Sequence, residues 1–222
     1  MTDVLSQQKL YYAERAPEYD DWWHRRGRYE LEPDALARWQ ADAAEAEAAL
    51  RALAPLGAVL ELAAGTGIWT RELVRLGDRV VAVDANPETL ALNTPEADLV
   101  RADVFEWRPE ERFDFDFVFF SFWLSHVPEA RFDEFWTLVR AALGPGGRVF
   151  LVDSGAGDTA HTGTDQDGWE ETRSLSDGRT FRIVKRRWAP DELAERVRTL
   201  GFELELRDTA NGHFLYGGGV VA

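Results

Sequence analysis

The sequence predicts an α/β fold: a doubly wound, mostly parallel seven-stranded sheet, with an antiparallel strand pair at its carboxyl end and a helical lid at its amino end. Three observations predict it. From Ala58 onward, short apolar runs alternate with helical patterns, as βαβ units do. The stretch VLELAAGTGIWT (59–70) reads as a buried strand entering a small-residue turn and then a helix. The last two strand-like runs, 203–207 and 213–221, are joined by a turn at Ala210-Asn211-Gly212 that is too short for a parallel crossover.

The elements follow in order. The aromatic-rich opening, SQQKLYYAERAPEYDDWWHRRGRYE, reads as one or two short helices interrupted at Pro17, and residues 1–30 as a lid outside the sheet. Pro33-Asp34 opens an alanine-rich amphipathic helix to about Ala54, with Leu36, Trp39, Ala43, Leu50 and Leu53 near helical period and a stop at Pro55 and Gly57. Strands are expected at 59–63, 80–84, about 99–102, 115–120 and 148–153, and helices at 69–76, 87–92 and 128–143. The fourth strand is aromatic throughout, which suits a strand covered on both faces. Residues 155–168 read as a polar, mobile loop, and 170–174 with 180–184 as a hairpin around Ser176-Asp177-Gly178. A helix at 190–200 precedes the closing strands. The whole reads as one domain: a helical flank (1–56), a cofactor-binding half (57–153), and a loop, hairpin insertion and closing strands (154–222).

Composition narrows the partners. A net charge of −15 argues against nucleic acid, whose binding relies on clustered cations. No run approaches a membrane span, the first residues lack a signal-peptide pattern, and the chain has no cysteine, so a cytoplasmic protein is expected, with no membrane partner and assembly left open between monomer and homodimer. Only Lys9 and Lys185 are lysines, and no function is drawn from that.

In an open α/β sheet the ligand lies beyond the carboxyl ends of the strands. There the chain places Ala63, Gly65, Thr66 and Gly67; Asp84, which is 23 positions after Glu61, near the spacing of a ribose-binding acid; and Asp103, followed by Val104 and Phe105, which can flank a flat base. Each alone has an ordinary structural explanation, as a tight turn or a helix cap. Together they describe a nucleoside site. Thr70 stands where a dinucleotide fingerprint needs its third glycine, and no P-loop lysine is present, so the nucleoside carries something other than phosphates.

The segments ELAAGTG, VVAVDAN, RADVFEW and FDFVFFSFWLSHVP, in this order, resemble the successive motifs of class I S-adenosylmethionine-dependent methyltransferases, with Ala63 at the family's first motif glycine and Glu61 at its acid. The resemblance implies a Rossmann-like sheet and S-adenosylmethionine as cofactor. It implies Gly65 and Gly67 at the methionine part, Asp84 at the ribose, Ala85 and Asn86 at the adenine edge, and Asp103 and Val104 at the adenine itself. Ser121 and Phe122 would line the sulfonium side, and Tyr11, Tyr12 or Tyr19 would approach the cofactor carboxylate or methyl.

An activated methyl donor needs alignment and exclusion of water more than a nucleophile in the protein. His126, just beyond the fourth strand, is the expected general base, against an equally ordinary role in capping or packing, and His213 is a second group expected to face the cleft. Trp22, Trp23, Trp123 and Trp169 are expected to wall a pocket for an aromatic or cationic acceptor, and Tyr11 and Tyr19 are expected with Trp22 and Trp123 at the substrate. Ser121-Phe122-Trp123-Leu124 is not the Asn/Asp-Pro-Pro-aromatic signature of methylation at nucleobase or glutamine amino nitrogens, and it offers no carboxylate for a catechol-type magnesium site, so no metal is expected. The reading is methyl transfer to oxygen or nitrogen of a small organic acceptor. A cofactor-binding partner protein without transfer stays open, and a nicotinamide-dependent oxidoreductase is disfavoured by the missing glycine.

Overall fold

The computed structural model describes residues 3–108, 115–155 and 169–222. Seven strands form one sheet: β1 (Ala58–Leu62), β2 (Arg79–Asp84), β3 (Asp98–Arg101), β4 (Phe115–Ser121), β5 (Leu143–Ser154), β8 (Phe202–Asp208) and β9 (Phe214–Val221). Their spatial order is β3-β2-β1-β4-β5-β9-β8. All neighbours are parallel up to β5, and β9 runs antiparallel to both β5 and β8. The expected hairpin, β6 (Glu170–Ser174) and β7 (Thr180–Val184), forms a separate two-stranded sheet.

The aromatic run of β4 divides by the period of two. Phe117 and Phe119 enter a core with Trp39, Leu50 and Leu73, whereas Val118 and Phe120 enter the opposite core with Phe135, Trp136 and Leu193. The first core is covered by α2 (Pro33–Arg51) and α3 (Thr70–Leu76), and the second by α5 (Phe132–Ala142) and α6 (Pro190–Arg198). Truncating Phe120, 1% exposed, to alanine should cost about 3–5 kcal/mol through the cavity it leaves.

Several boundaries differ from expectation. The amino-terminal segment is one continuous helix, α1 (Val4–Trp23), with Pro17 inside it. Proline costs about 3 kcal/mol in a helix interior, but packing at both ends holds this one: Tyr11 joins Phe181 and Ile183 of the hairpin, and Trp23 enters the first core. α1 is therefore seated on the hairpin. Val184 N–H donates to Gln8 Oε1 at 2.9 Å, and Gln8 Nε2 donates to the carbonyl of His126 at 3.2 Å. The helix expected at 128–143 is one 3₁₀ turn, Glu129–Arg131, followed by α5, and a further 3₁₀ turn, Leu124–His126, precedes it. β5 begins directly after it, and its pairing with β4 slips across the glycine-rich stretch, from Phe115↔Leu143 to Phe117↔Arg148. The helix after β2, α4 (Pro87–Leu90), is a single turn. Of the expected loop at 155–168, all but Gly155 lies outside the described residues. No helix among the described residues is long and apolar enough to cross a membrane.

Asp42 of α2 is fully buried and binds the β8–β9 turn. It accepts hydrogen bonds from Thr209 Oγ1 (2.8 Å), from Asn211 N and Nδ2 (3.0 and 2.8 Å), and from His213 N and Nδ1 (3.1 and 2.8 Å). Burial pushes its carboxyl up, but these donors outweigh burial and hold it at about 2. His213 thus clamps the turn to α2 and packs on Trp39; it lines neither ligand space described below. The expectation that it faces the cleft is corrected.

Candidate active site

The order of strands reverses between β1 and β4, and a cleft opens at their carboxyl ends. Two non-glycine residues sit there in the left-handed region, Ala63 (φ 56°) after β1 and Phe122 (φ 49°) after β4, and both line the cleft. Such a conformation costs a residue with a Cβ about 1–2 kcal/mol, and strain of this kind concentrates where a loop is shaped for a ligand. Gly65 (φ 55°) also lines the cleft, and a Cβ there would meet nothing within 4 Å, so its requirement is conformational. Gly67 (φ 84°) differs: a Cβ would collide with Asn93, so this glycine serves packing behind the turn.

Asp84 ends β2 and ties two loops together. Its Oδ2 accepts the Gly65 N–H at 2.9 Å, and its Oδ1 accepts the Asn86 N–H at 2.8 Å and the Thr89 hydroxyl at 3.2 Å. Burial pushes this carboxyl above its usual range, against the pull of the Asn86 and Gly65 amides. Beyond β3, Asp103 accepts the Phe105 N–H at 2.9 Å and the Lys9 ammonium at 2.5 Å, and these outweigh burial to lower its pKa. Ala85, Asn86, Val104, Phe105, Ser121 and Trp123 complete the walls, and α1 closes the cleft with Leu5, Gln8, Lys9 and Tyr12. Carboxylates for hydroxyl and amino donors, flat apolar walls and an open glycine turn fit an adenosine with an amino-acid tail.

Glu61 and Thr66 lie beneath this surface. Thr70 Oγ1 donates to Glu61 Oε2 at 2.5 Å, and Thr66 Oγ1 donates to Asp20 Oδ1 at 2.5 Å, which pins the turn to the end of α1. Both are 1% exposed and neither lines the cleft itself, but Thr66 lines a small cavity beside it with Tyr19, Gly65, Ser121 and Phe122.

A second, smaller cavity adjoins the cleft and shares Tyr12, Tyr19, Phe122 and His126 with it. Tyr11 and Trp22 line this cavity, whereas Trp123 lies in the cleft, packed on Phe105. The remaining walls are cationic: Arg15 of α1, Arg173 of β6 and Lys185 after β7. Lys185 Nζ donates to Ser125 Oγ and Ser154 Oγ, each at 2.8 Å, and lies 3.7 Å from Asp153. Arg173 pairs with Glu171, which Arg187 also engages. Arg15 is 8% exposed, has no carboxylate within ion-pair distance among the described residues, and stands 5.1 Å from the Tyr19 ring centre and 5.6 Å from that of Tyr11; its Nε has no hydrogen-bond partner among those residues. Three cations, Arg15, Arg173 and Lys185, thus line this cavity, and of these Arg15 is the one with no carboxylate beside it among the described residues.

His126 does not offer a free base. Its Nδ1 lies 2.6 Å from the Val184 carbonyl and its Nε2 lies 2.7 Å from Tyr12 Oη. Burial, then the charge of Lys185, holds the ring well below its ordinary pKa, so it is neutral. Both nitrogens are occupied, and the expectation that His126 takes a proton directly from the acceptor is corrected by this geometry.

Sequence reasoning assembled the cleft but missed Leu5, Gln8, Lys9, Thr89 and Arg131 in its walls, and Arg15, Ser154, Arg173 and Lys185 in the cavity. One signal was present: the chain's only two lysines, in an acidic protein, are Lys9 on Asp103 and Lys185 in the cavity.

A family model described as a methyltransferase domain matches residues 59–147. The solved DhpI–SAH complex is 37% identical, covers 99% of this chain and 97% of its own, and superposes with a TM-score of 0.77. A DhpI–SAM–HEP complex is 36% identical over 98% of each chain, with a TM-score of 0.79. The 1,6-didemethyltoxoflavin-N1-methyltransferase of Burkholderia thailandensis, 23% identical over 99% of this chain and 90% of its own with a TM-score of 0.57, shares the fold. No curated protein matches the chain.

Proposed function

We infer that this chain, which belongs to the S-adenosylmethionine-dependent methyltransferases, methylates an oxygen of a small organic acceptor that carries negative charge. When bound, S-adenosylmethionine supplies a methyl group already activated on a sulfonium. The chain's own residues must bind, align and keep out water. Asp84 is assigned to the ribose hydroxyls, Asp103 and the Val104 amide to the adenine, Ala85 and Asn86 to its edge, and the turn through Gly65 to the amino-acid tail. Ser121 and Phe122 would face the sulfonium, next to the shared wall of Tyr12 and Tyr19.

The observation that carries the acceptor class is the cationic cavity. A buried charge without a counter-charge is costly, and an anion of the acceptor would pair Arg15, which is 8% exposed and has no carboxylate within ion-pair distance among the described residues. The rest of the surface is acidic and repels anions, so the attraction is local to this cavity. Hydrogen bonds between charged partners contribute about 1.5–3 kcal/mol each. An oxyanion also needs no base, which agrees with a neutral, fully engaged His126.

The test is a transfer screen with methyl-labelled cofactor in which each oxyacid is paired with its neutral amide and with an amine of similar size. Label should pass to the oxyacids, and Lys185→Met should lower that transfer at least tenfold while S-adenosylhomocysteine still binds. Transfer to the neutral or amine members in preference to the acids would overturn the assignment.

A further inference from the structure

We propose that Tyr12 makes the acceptor cavity selective for an oxyanion that still carries one proton, by presenting only lone pairs to it. The proposal rests on the anionic acceptor argued above and adds the protonation state that the cavity reads.

The hydrogen-bond directions follow from one carbonyl. Val184 O can only accept, so the Nδ1 of His126, 2.6 Å away, carries the ring proton. The neutral imidazole then has a lone pair on Nε2, and Tyr12 Oη, 2.7 Å from it, must donate its single proton there. What Tyr12 Oη has left is acceptor capacity. Burial raises the phenol's own pKa, so it stays protonated and its one proton stays committed to His126.

The groups facing this pair supply the contrast. Arg15 from the same helix, Arg173 from β6 and Lys185 after β7 are donors, and the hydroxyls of Tyr19 and Ser154 can turn either way. A fully ionised oxyanion satisfies the cations but sets an oxygen against the Tyr12 lone pairs. A singly protonated one satisfies both, with its O–H on Tyr12 and its ionised oxygens on the cations. Tyr12 lines cleft and cavity alike, so this contact also fixes which oxygen turns toward the cofactor. Tyr12 is thus a specificity-determining and positioning residue. The same polarity removes it as a donor to the cofactor carboxylate.

Inorganic phosphate and sulfate test this, because both are tetrahedral and of similar size, but at neutral pH phosphate keeps a proton and sulfate does not. Binding is measured by calorimetry on the protein saturated with S-adenosylhomocysteine. Phosphate should bind at least about tenfold tighter than sulfate, the scale expected when a buried acceptor is left unpaired. Tyr12→Phe should abolish the preference, since it keeps the ring and removes the lone pairs. In His126→Asn the amide can still donate to the Val184 carbonyl, but Tyr12 regains its proton for the cavity, so sulfate binding should strengthen. Melting curves verify that each variant is folded. Equal binding in the wild type, or a preference that survives Tyr12→Phe, overturns the proposal and leaves the anionic acceptor standing. If neither anion binds, the anionic reading fails and takes this inference with it.

Discussion

Glu61→Gln should change how stability depends on pH, and the size of the change can be worked from the site. Glu61 is fully enclosed beneath the glycine turn, with one hydrogen bond, from Thr70, and Asp84 near enough to repel its charge. Burial is the largest cause and raises its pKa from 4.5 to about 8. The folded protein therefore holds a proton that the unfolded chain releases at 4.5. The resulting stabilisation is complete below that pH, declines as pH rises, and is gone above about 8. At 1.36 kcal/mol per pH unit, the gap is worth at most about 5 kcal/mol. Glutamine has the shape of the neutral acid and no proton to lose. Urea unfolding of both proteins from pH 5 to pH 9 should give curves that diverge, with the variant gaining several kcal/mol on the wild type at the alkaline end. Parallel curves would refute the argument and mean that Glu61 is ionised in the folded state.

Three further outcomes are expected. Asp84→Ala removes the carboxylate assigned to ribose and strands the Gly65 and Asn86 amides, so calorimetry should show S-adenosylhomocysteine binding weakened by about tenfold or more; unchanged affinity would sink the assignment. Gln8→Ala leaves the Val184 amide and the His126 carbonyl without their partner between α1 and the hairpin, at about 1–3 kcal/mol per group, and a melting temperature within 1 °C of wild type would contradict it. Because the folded His126 has a pKa well below 6.5, its stabilisation is complete above 6.5 and is lost as pH falls below it; turnover should show no histidine titration near 6.5, whereas His126→Asn should reduce the acid loss of stability.

The cleft was legible in the sequence because its parts are local. A turn that needs left-handed residues writes itself as Ala63 to Gly67, and an acid at a strand end stands two positions from the amide it ties, as Asp84 does with Asn86. Even there the roles of individual residues were not visible, since nothing in a string tells Gly65, open to the cleft, from Gly67, pressed on Asn93. Boundaries failed where tertiary packing overrules a local signal, as at Pro17 within α1. The acceptor cavity was illegible for a stronger reason. Arg15, Arg173 and Lys185 belong to three elements, and they converge only because the hairpin carrying the last two folds back onto α1. A composition count records these cations as three among 25 in a chain of net charge −15 and so points away from anions. Burial reverses that conclusion: charge on the surface is screened and sets only the far field, whereas cations in the interior are felt at full strength by whatever shares it. The acceptor's class is thus written in which few charges the fold withdraws from water, and only their positions in space could show it.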